Sequence, residues 1–227
     1  MKLAVISDIH SNFEALKNVY SNFSDIDKVV CLGDLVGYGP SPTEVVDFTS
    51  SKGFNCIKGN HDGMVADPEG LYRFNSLARA GVKHNREKLD ESQINFLENL
   101  PLNLSLDLNE KKIECFHGSP RHPLSEYIYP EDADESLIQS LNTVNPDYLF
   151  LGHTHIPFKK EIRGTTILNP GSVGQPRDGD PRSSYAVVDL ERDAVSFERV
   201  EYDIQKVKNK VEGELPSEIG ERLEEGR

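Results

Sequence analysis

The sequence predicts an α/β fold, and three features carry that expectation. The first sixty residues alternate strand, helix, strand, helix, strand, the pattern of a sheet with helical crossovers. Further strand-length apolar runs recur as far as residue 200. Five of the runs are followed directly by Asp, Asn or His.

Residues 2–7 read as a buried strand, and 12–23 as a helix with Phe13, Leu16, Val19 and Tyr20 on one face. A second strand is expected at 28–32. A helix at 43–52 is opened by Pro42 and closed near Gly53, and a third strand spans 54–58. Residues 71–100 change character: they are helical and polar, with an N-cap at Asp90 or Ser92 ahead of Ile94, Phe96, Leu97 and Leu100. After Pro101, residues 104–108 and 112–116 form a hairpin about Asn109-Glu110. A helix at 131–141 and strands at 148–151, 158–162, 165–168, 185–189 and 194–200 complete the chain. There is no internal repeat or low-complexity linker, so one domain is expected over residues 1–203, with 71–100 as its helical segment. Residues 204–227 are expected to be a charged tail, its Glu-rich end from 212 onward solvated or frayed.

A chain of 227 residues is near the upper limit for a single core. Its apolar runs are too short to span a membrane, and the N-terminus lacks the long apolar region of a secretory signal. A cytoplasmic location is therefore expected. The net charge of -13 repels nucleic-acid backbones and argues against duplex DNA as a partner, but it does not exclude a small anionic substrate at a cationic centre. Cys31, Cys56 and Cys115 are far apart, match no zinc knuckle, and read as buried free thiols.

The positions of the polar residues carry the functional argument. Asp8 and His10 follow the first strand, Asp34 the second, and Asn60 with His61 the third. His117 follows the strand ending at Phe116, and His153 with His155 follow 148–151. The carboxyl ends of strands in an open α/β sheet lie along one edge, where ligands bind. Carboxylates and imidazoles suit divalent manganese, iron, cobalt, nickel or zinc. In Asp8-x-His10 and His153-x-His155, an extended chain would aim both side chains the same way. Two divalent ions facing Asp8 and Asp34 leave a site cationic enough to hold a phosphate.

These blocks, Asp8-x-His10, Gly33-Asp34, Gly59-Asn60-His61-Asp62, His117-Gly118 and Gly152-His153-Thr154-His155, resemble the five ordered blocks of the calcineurin-like metallophosphoesterases. Three later segments resemble the small prokaryotic branch of predicted phosphodiesterases and diadenosine-tetraphosphatase-like proteins: His117-Gly118-Ser119-Pro120, residues 169–174 and residues 174–181. The resemblance implies two mixed β-sheets packed as a sandwich flanked by helices. It implies that Asp8, His10 and His155 hold one metal, that Asn60, His117 and His153 hold a second, and that Asp34 bridges them. Manganese is the first choice of ion. His61, steered by Asp62 or a backbone group, would face the scissile phosphate and protonate the leaving oxygen or stabilise the transition state. The retromer subunit of the same family, a protein-interaction scaffold, lacks the complete set and resembles this chain less.

The activity implied is hydrolysis of a small phosphodiester or dinucleoside polyphosphate by a metal-activated hydroxide. Alternatives are a phosphomonoesterase acting on phosphoproteins, or a non-catalytic metal-binding scaffold. Arg121 and Arg177 are the foremost candidates to hold substrate, with Arg73, Arg79, His84, Tyr127 and Arg182 behind them.

Overall fold

The computed structural model describes residues 1–141 and 145–227. Its strands follow the apolar runs closely. β1 (Lys2–Ile6), β2 (Lys28–Cys31) and β3 (Asn55–Cys56) alternate with α1 (Phe13–Ser21) and α2 (Pro42–Ser51). Asn12 caps α1 through the Ala15 amide, and Pro42 opens α2, where a missing N–H costs nothing. α3 (Asn60–Ala66), a 3-10 turn at Leu71–Arg73, α4 (Ser76–Lys88) and α5 (Glu91–Glu98) come next; Asp90 and Gln93 close a reciprocal cap on α5. Then follow β4 (Asn103–Leu108), β5 (Lys111–Phe116), α6 (Glu135–Gln139), β6 (Tyr148–Leu151), β7 (Phe158–Ile162), β8 (Thr165–Asn169), β9 (Ser183–Asp189) and β10 (Ala194–Val200). The chain ends in α7 (Ile204–Val211) and α8 (Glu218–Glu225).

The strands form two mixed five-stranded sheets, ordered β10-β9-β1-β2-β3 and β4-β5-β6-β8-β7. β1, β2 and β3 run parallel, as do β5, β6 and β8; the outer partners are antiparallel. Period-two alternation explains how the sheets face each other. Leu3, Val5, Val30 and Leu32 point to the shared interior and meet Ile113, Cys115, Tyr148, Phe150 and Leu168 of the other sheet. Ile6 and Cys31 point the other way, into the layer of α1 and α2. Leu149, Leu151 and Ile167 pack under Ile128 and Leu137 on the far face. All three cysteines are buried and free. No helix among the described residues is long and apolar enough to cross a membrane.

The tail departs from expectation. Instead of fraying, α7 and α8 form a hairpin that buries Val207, Val211, Ile219 and Leu223. The apolar residues lie three to four apart, so each helix has one sticky side despite its many charges. α3 was also unforeseen, because its seven residues carry no apolar stripe.

Candidate metal centre

The ends of β1, β2 and β3 in one sheet and of β5 and β6 in the other meet at one place. The predicted donors therefore converge from two sheets, where a single open-sheet edge was expected. Asp8 Oδ1 lies 3.3 Å from His155 Nε2, and the Nε2 atoms of His155 and His10 are 3.2 Å apart. Asp34 Oδ2 stands 3.6 Å from His10 Nε2 and 3.4 Å from His117 Nε2. His117 Nε2 is 3.1 Å from Asn60 Oδ1 and 3.0 Å from His153 Nδ1. Asp8, His10 and His155 form one three-donor group, Asp34, His117 and His153 another, and Asp34 with His10 and His61 a third between them.

The geometry that aims these side chains is not the extended one. Asp8, His10, Ser11, Asp34, His153 and His155 all have φ between 48° and 69°. Left-handed backbone at non-glycine residues is costly and persists only where its surroundings enforce it. The enforcement is visible. Asp8, His10 and Ser11 donate backbone N–H groups to the carbonyls of Gly33, Asp34 and Leu35, so the two turns brace one another. Residues 169–174 lock them from the side: Ser172 Oγ donates to the Asp8 carbonyl at 2.7 Å, the Val173 and Gly174 amides donate to Ser7 and Asp8, and Asn169 Nδ2 donates to Gly152 O. Gly59 is needed because a Cβ there would lie 2.0 Å from Asp34 Oδ1.

Proton positions follow from the partners. His10 Nδ1 faces Val36 O, His117 Nδ1 faces Leu32 O and His155 Nδ1 faces Gln175 O. A carbonyl can only accept, so each neutral ring carries its proton there and turns an Nε2 lone pair inward. Lone pairs of His10 and His155 at 3.2 Å, beside two carboxylates, repel unless something positive sits among them. Asp8 Oδ1 and His153 Nε2 are buried without a hydrogen-bond partner. These residues fit a pair of divalent cations. Burial opposes charge on His117, yet Asp34 and Asp8 raise its pKa to about 9. Burial likewise opposes the Asp34 carboxylate, but His117 and His61 hold it well below the usual range.

His61 lines a cavity of about 690 Å³ together with Asn60, His153, Phe74 and Tyr127. Its ring lies 4.7 Å from Tyr38 and 4.8 Å from Phe74, and its Nδ1 is buried and unpartnered. Burial lowers its pKa to about 4, with Arg177 adding to the effect and Asp34 opposing it. Asp62, one of the two alternatives expected to steer His61, is bonded elsewhere. Its carboxylate accepts from the Val36 and Gly59 amides and ties the ends of β2 and β3 together. Burial and Asp34 push its pKa up to about 7.

The candidate cations divide. Arg177 stands beside the centre, with its backbone amide on His155 O and its guanidinium over Tyr38. Arg121 is committed elsewhere, forked onto Glu126 and bonded to Ser136, which corrects its expected substrate role. Arg182 pairs with Asp180, and Arg79 is exposed on α4. His84 is buried near Pro40 and Glu214, away from the donors. Arg73 and Tyr127 do line the cavity, and Tyr127 stacks 3.8 Å from His153. Sequence reasoning missed Tyr38, Phe74 and Asn85. Asn85 of α4 accepts from Ser11 Oγ and the Gly37 amide and donates to Gly39 O, so it fixes the loop carrying Tyr38. A buried Asn among polar helix residues leaves no periodic signal.

A fold of two mixed sheets with this donor set at their joined ends defines a metal-dependent phosphoric ester hydrolase. A calcineurin-like phosphoesterase superfamily domain matches residues 1–193, and the chain belongs to that superfamily. An uncharacterised protein of Methanocaldococcus jannaschii is 38% identical over 246 residues, spanning 99% of this chain and 98% of that protein. Phosphodiesterase YfcE of Escherichia coli strain K12 is 28% identical over 195 residues, spanning 83% and 88%. The crystal structure of a metallophosphoesterase from Sphaerobacter thermophilus has a TM-score of 0.85 at 32% identity, covering 100% of both chains.

Proposed function

We propose that the protein is a dinuclear-metal phosphodiesterase of small soluble substrates, either simple diesters or dinucleoside polyphosphates. One observation carries this. Seven donor side chains converge, with Asp34 3.6 Å from His10 Nε2 on one side and 3.4 Å from His117 Nε2 on the other, beside a cavity of about 690 Å³. Asp8, His10 and His155 would hold one ion, Asn60, His117 and His153 the other, and Asp34 both. When bound, two divalent ions, manganese first among them, supply Lewis-acid charge for the phosphoryl oxygens and lower the pKa of water.

The chain's own residues do the rest. The carbonyls of Val36, Leu32 and Gln175 hold three imidazoles in the tautomer that presents a lone pair. The left-handed turns fix the donors before any ligand arrives, so little reorganisation is left for the reaction. Phe74 and Tyr38 wall His61 against the cavity, which leaves it free to hydrogen-bond a phosphoryl or leaving oxygen. Arg177 faces the substrate's negative charge.

Metal-stripped protein, re-supplied with single metals and assayed on diesters, monoesters and dinucleoside polyphosphates, tests the reading. Diesters or polyphosphates should lead, and a clear preference for monoesters would overturn it. His61→Ala should keep two metals per chain and the fold while losing about 10²–10⁴ in rate on alkyl or nucleoside esters. A smaller loss on nitrophenyl esters marks proton donation to the leaving group. Equal losses mark stabilisation of the phosphoryl oxygens, and loss of metal would make His61 a ligand.

A further inference from the structure

The cavity beside the candidate centre has an apolar side that the donors do not use. Five large apolar or aromatic side chains are exposed among the described residues, and two of them, Leu102 at 47% and Tyr127 at 48%, line this one cavity. Met64, Phe74 and Leu124 join them. Exposed apolar side chains gathered in one concave place mark a ligand site. Asn60, His61 and His153 line the same cavity, so whatever fills it lies next to the candidate centre.

The fold sets flat and apolar surfaces around this space. The Tyr127 ring centroid is 3.8 Å from that of His153, with the planes 25° apart, and the half-exposed tyrosine turns its remaining surface to the cavity. Tyr129 continues the aromatic surface, 6.4 Å from Tyr127 and 13° from parallel. The Gly118 amide donates to Pro123 O at 2.6 Å, which holds the loop of Leu124 and Tyr127 at the end of β5. The Lys58 amide donates to Pro101 O at 2.7 Å, which brings Leu102 to the end of β3. Phe74 stands 4.8 Å from His61, ring to ring. The charged groups of the cavity do not suit a second anion. Lys58 Nζ donates to Glu98 O at 2.7 Å, and the Arg73 guanidinium lies over the Tyr72 ring at 5.5 Å. Asp67 and Glu69 line the cavity too, and their carboxylates repel a further phosphoryl group. A flat, uncharged group meets neither obstacle.

We propose that the cavity is a subsite for a flat, uncharged aromatic substituent of the substrate, an aryl group or a nucleobase, and that Tyr127 and Leu102 determine the preference for it. The inference rests on the phosphodiesterase reading and narrows it to esters that carry such a ring. Tyr127 offers a π-face, on which any planar ring can stack. Leu102 adds apolar contact area that water otherwise covers. The tyrosine that packs on His153 thereby joins the ring subsite to the candidate centre.

The test is calorimetry on the manganese-loaded full chain with three phosphinates of equal charge that cannot be hydrolysed. Methyl(phenyl)phosphinate should bind about 10-fold more tightly than dimethylphosphinate, within the range for stacking a ring on an aromatic side chain. Cyclohexyl(methyl)phosphinate should gain less than the phenyl compound; an equal gain would overturn the aromatic preference. Tyr127→Leu keeps an apolar side chain on His153 but removes the flat face, and should bring the phenyl preference close to unity. Leu102→Asn should cut it to about 3-fold, as expected from lost apolar area. No phenyl preference in the wild type, or one that both variants keep, would overturn the proposal. Manganese content, measured on each variant, separates a lost subsite from a lost ion; should Tyr127→Leu lose metal, Leu102→Asn decides, because Leu102 lies outside the donor set. Adenosine 5′-methylphosphonate against ribose 5-methylphosphonate distinguishes the sources. A larger gain from adenine than from phenyl assigns the subsite to a nucleobase, and a gain from phenyl alone assigns it to a simple aryl ester. If no phosphinate binds, the phosphodiesterase reading fails, and ligand-observed NMR with adenosine still decides. Contact that Leu102→Asn weakens keeps the ring subsite, and no contact overturns it.

Discussion

The two halves of the candidate centre are built differently. The half of Asp8, His10 and His155 has a carboxylate of its own besides Asp34, and carbonyls anchor both its imidazoles. Tyr38 borders it, and Val207, Ile219 and Leu223 of the C-terminal hairpin line a small cavity together with the same tyrosine. The half of Asn60, His117 and His153 has the neutral Asn60 amide in place of a second carboxylate. Its His153 has no carbonyl anchor, keeps a buried Nε2 unpartnered, and leans on the half-exposed Tyr127. One half is preorganised and anionic; the other is looser and opens onto the cavity. On the proposed dinuclear reading, the first half would hold its ion more firmly than the second.

On the proposed dinuclear reading Asp34→Asn should have the largest effect, because Asp34 stands 3.6 Å from His10 on one side and 3.4 Å from His117 on the other and would serve both ions. Its loss removes a charge from each, and turnover should fall by at least about 10³-fold, as expected when several kcal/mol of electrostatic stabilisation goes. Elemental analysis after manganese saturation should show both sites weakened, against two ions per chain in the wild type. Near-normal metal content and rate would break the bridging role.

The asymmetry itself is tested by chelation. Titration with a chelator should release the ion of the Asn60 half first, and His153→Asn should leave one ion where His155→Asn weakens mainly the other. Tyr127→Ala removes the ring that supports His153. It should weaken the second ion by about 10-fold, the lower range for loss of an outer partner, with the first unchanged. Simultaneous release of both ions would show that the two halves are energetically alike.

Much of this architecture is legible in the sequence because strands write themselves in period two. The runs at 148–151, 158–162 and 194–200 match their strands to the residue, and the donors after five strands were all identifiable. Their convergence was right for a wrong reason. Alternation along an extended chain was the expected device, whereas left-handed turns braced across β1 and β2 do the aiming. Such turns depend on partners far away in sequence, here Ser172 and Asn169, and so leave no local mark. The C-terminal hairpin was obscured by composition. Its glutamates and lysines outnumber Val207, Val211, Ile219 and Leu223, and only the spacing of those four betrays a buried side. Arg121 and Asp62 illustrate a further limit. A residue's type gives its chemistry, but Glu126 and two backbone amides had already claimed these two.

The smallest effect concerns what keeps the hairpin beside the first half. Glu14 of α1 is buried and takes Lys206 of α7 at 2.9 Å, Lys210 at 3.5 Å and its neighbour Lys17 at 2.9 Å. Burial opposes its charge, but Lys17 and Lys206 lower its pKa from an ordinary 4.5 to about 2. A carboxylate with a depressed folded-state pKa contributes stability that is fully present above its unfolded value. That stability is lost as the pH falls through the folded value, here between about 4.5 and about 2. Taken alone, the shift corresponds to roughly 3 kcal/mol. Lys17 and Lys206 are about half exposed, so solvent screening reduces this to about 1 kcal/mol. Glu14→Gln should therefore lower the melting temperature by about 2–4 °C at pH 7. It should also flatten the acid limb of stability below pH about 4.5. An acid limb identical to that of the wild type would remove Glu14 as the anchor of α7.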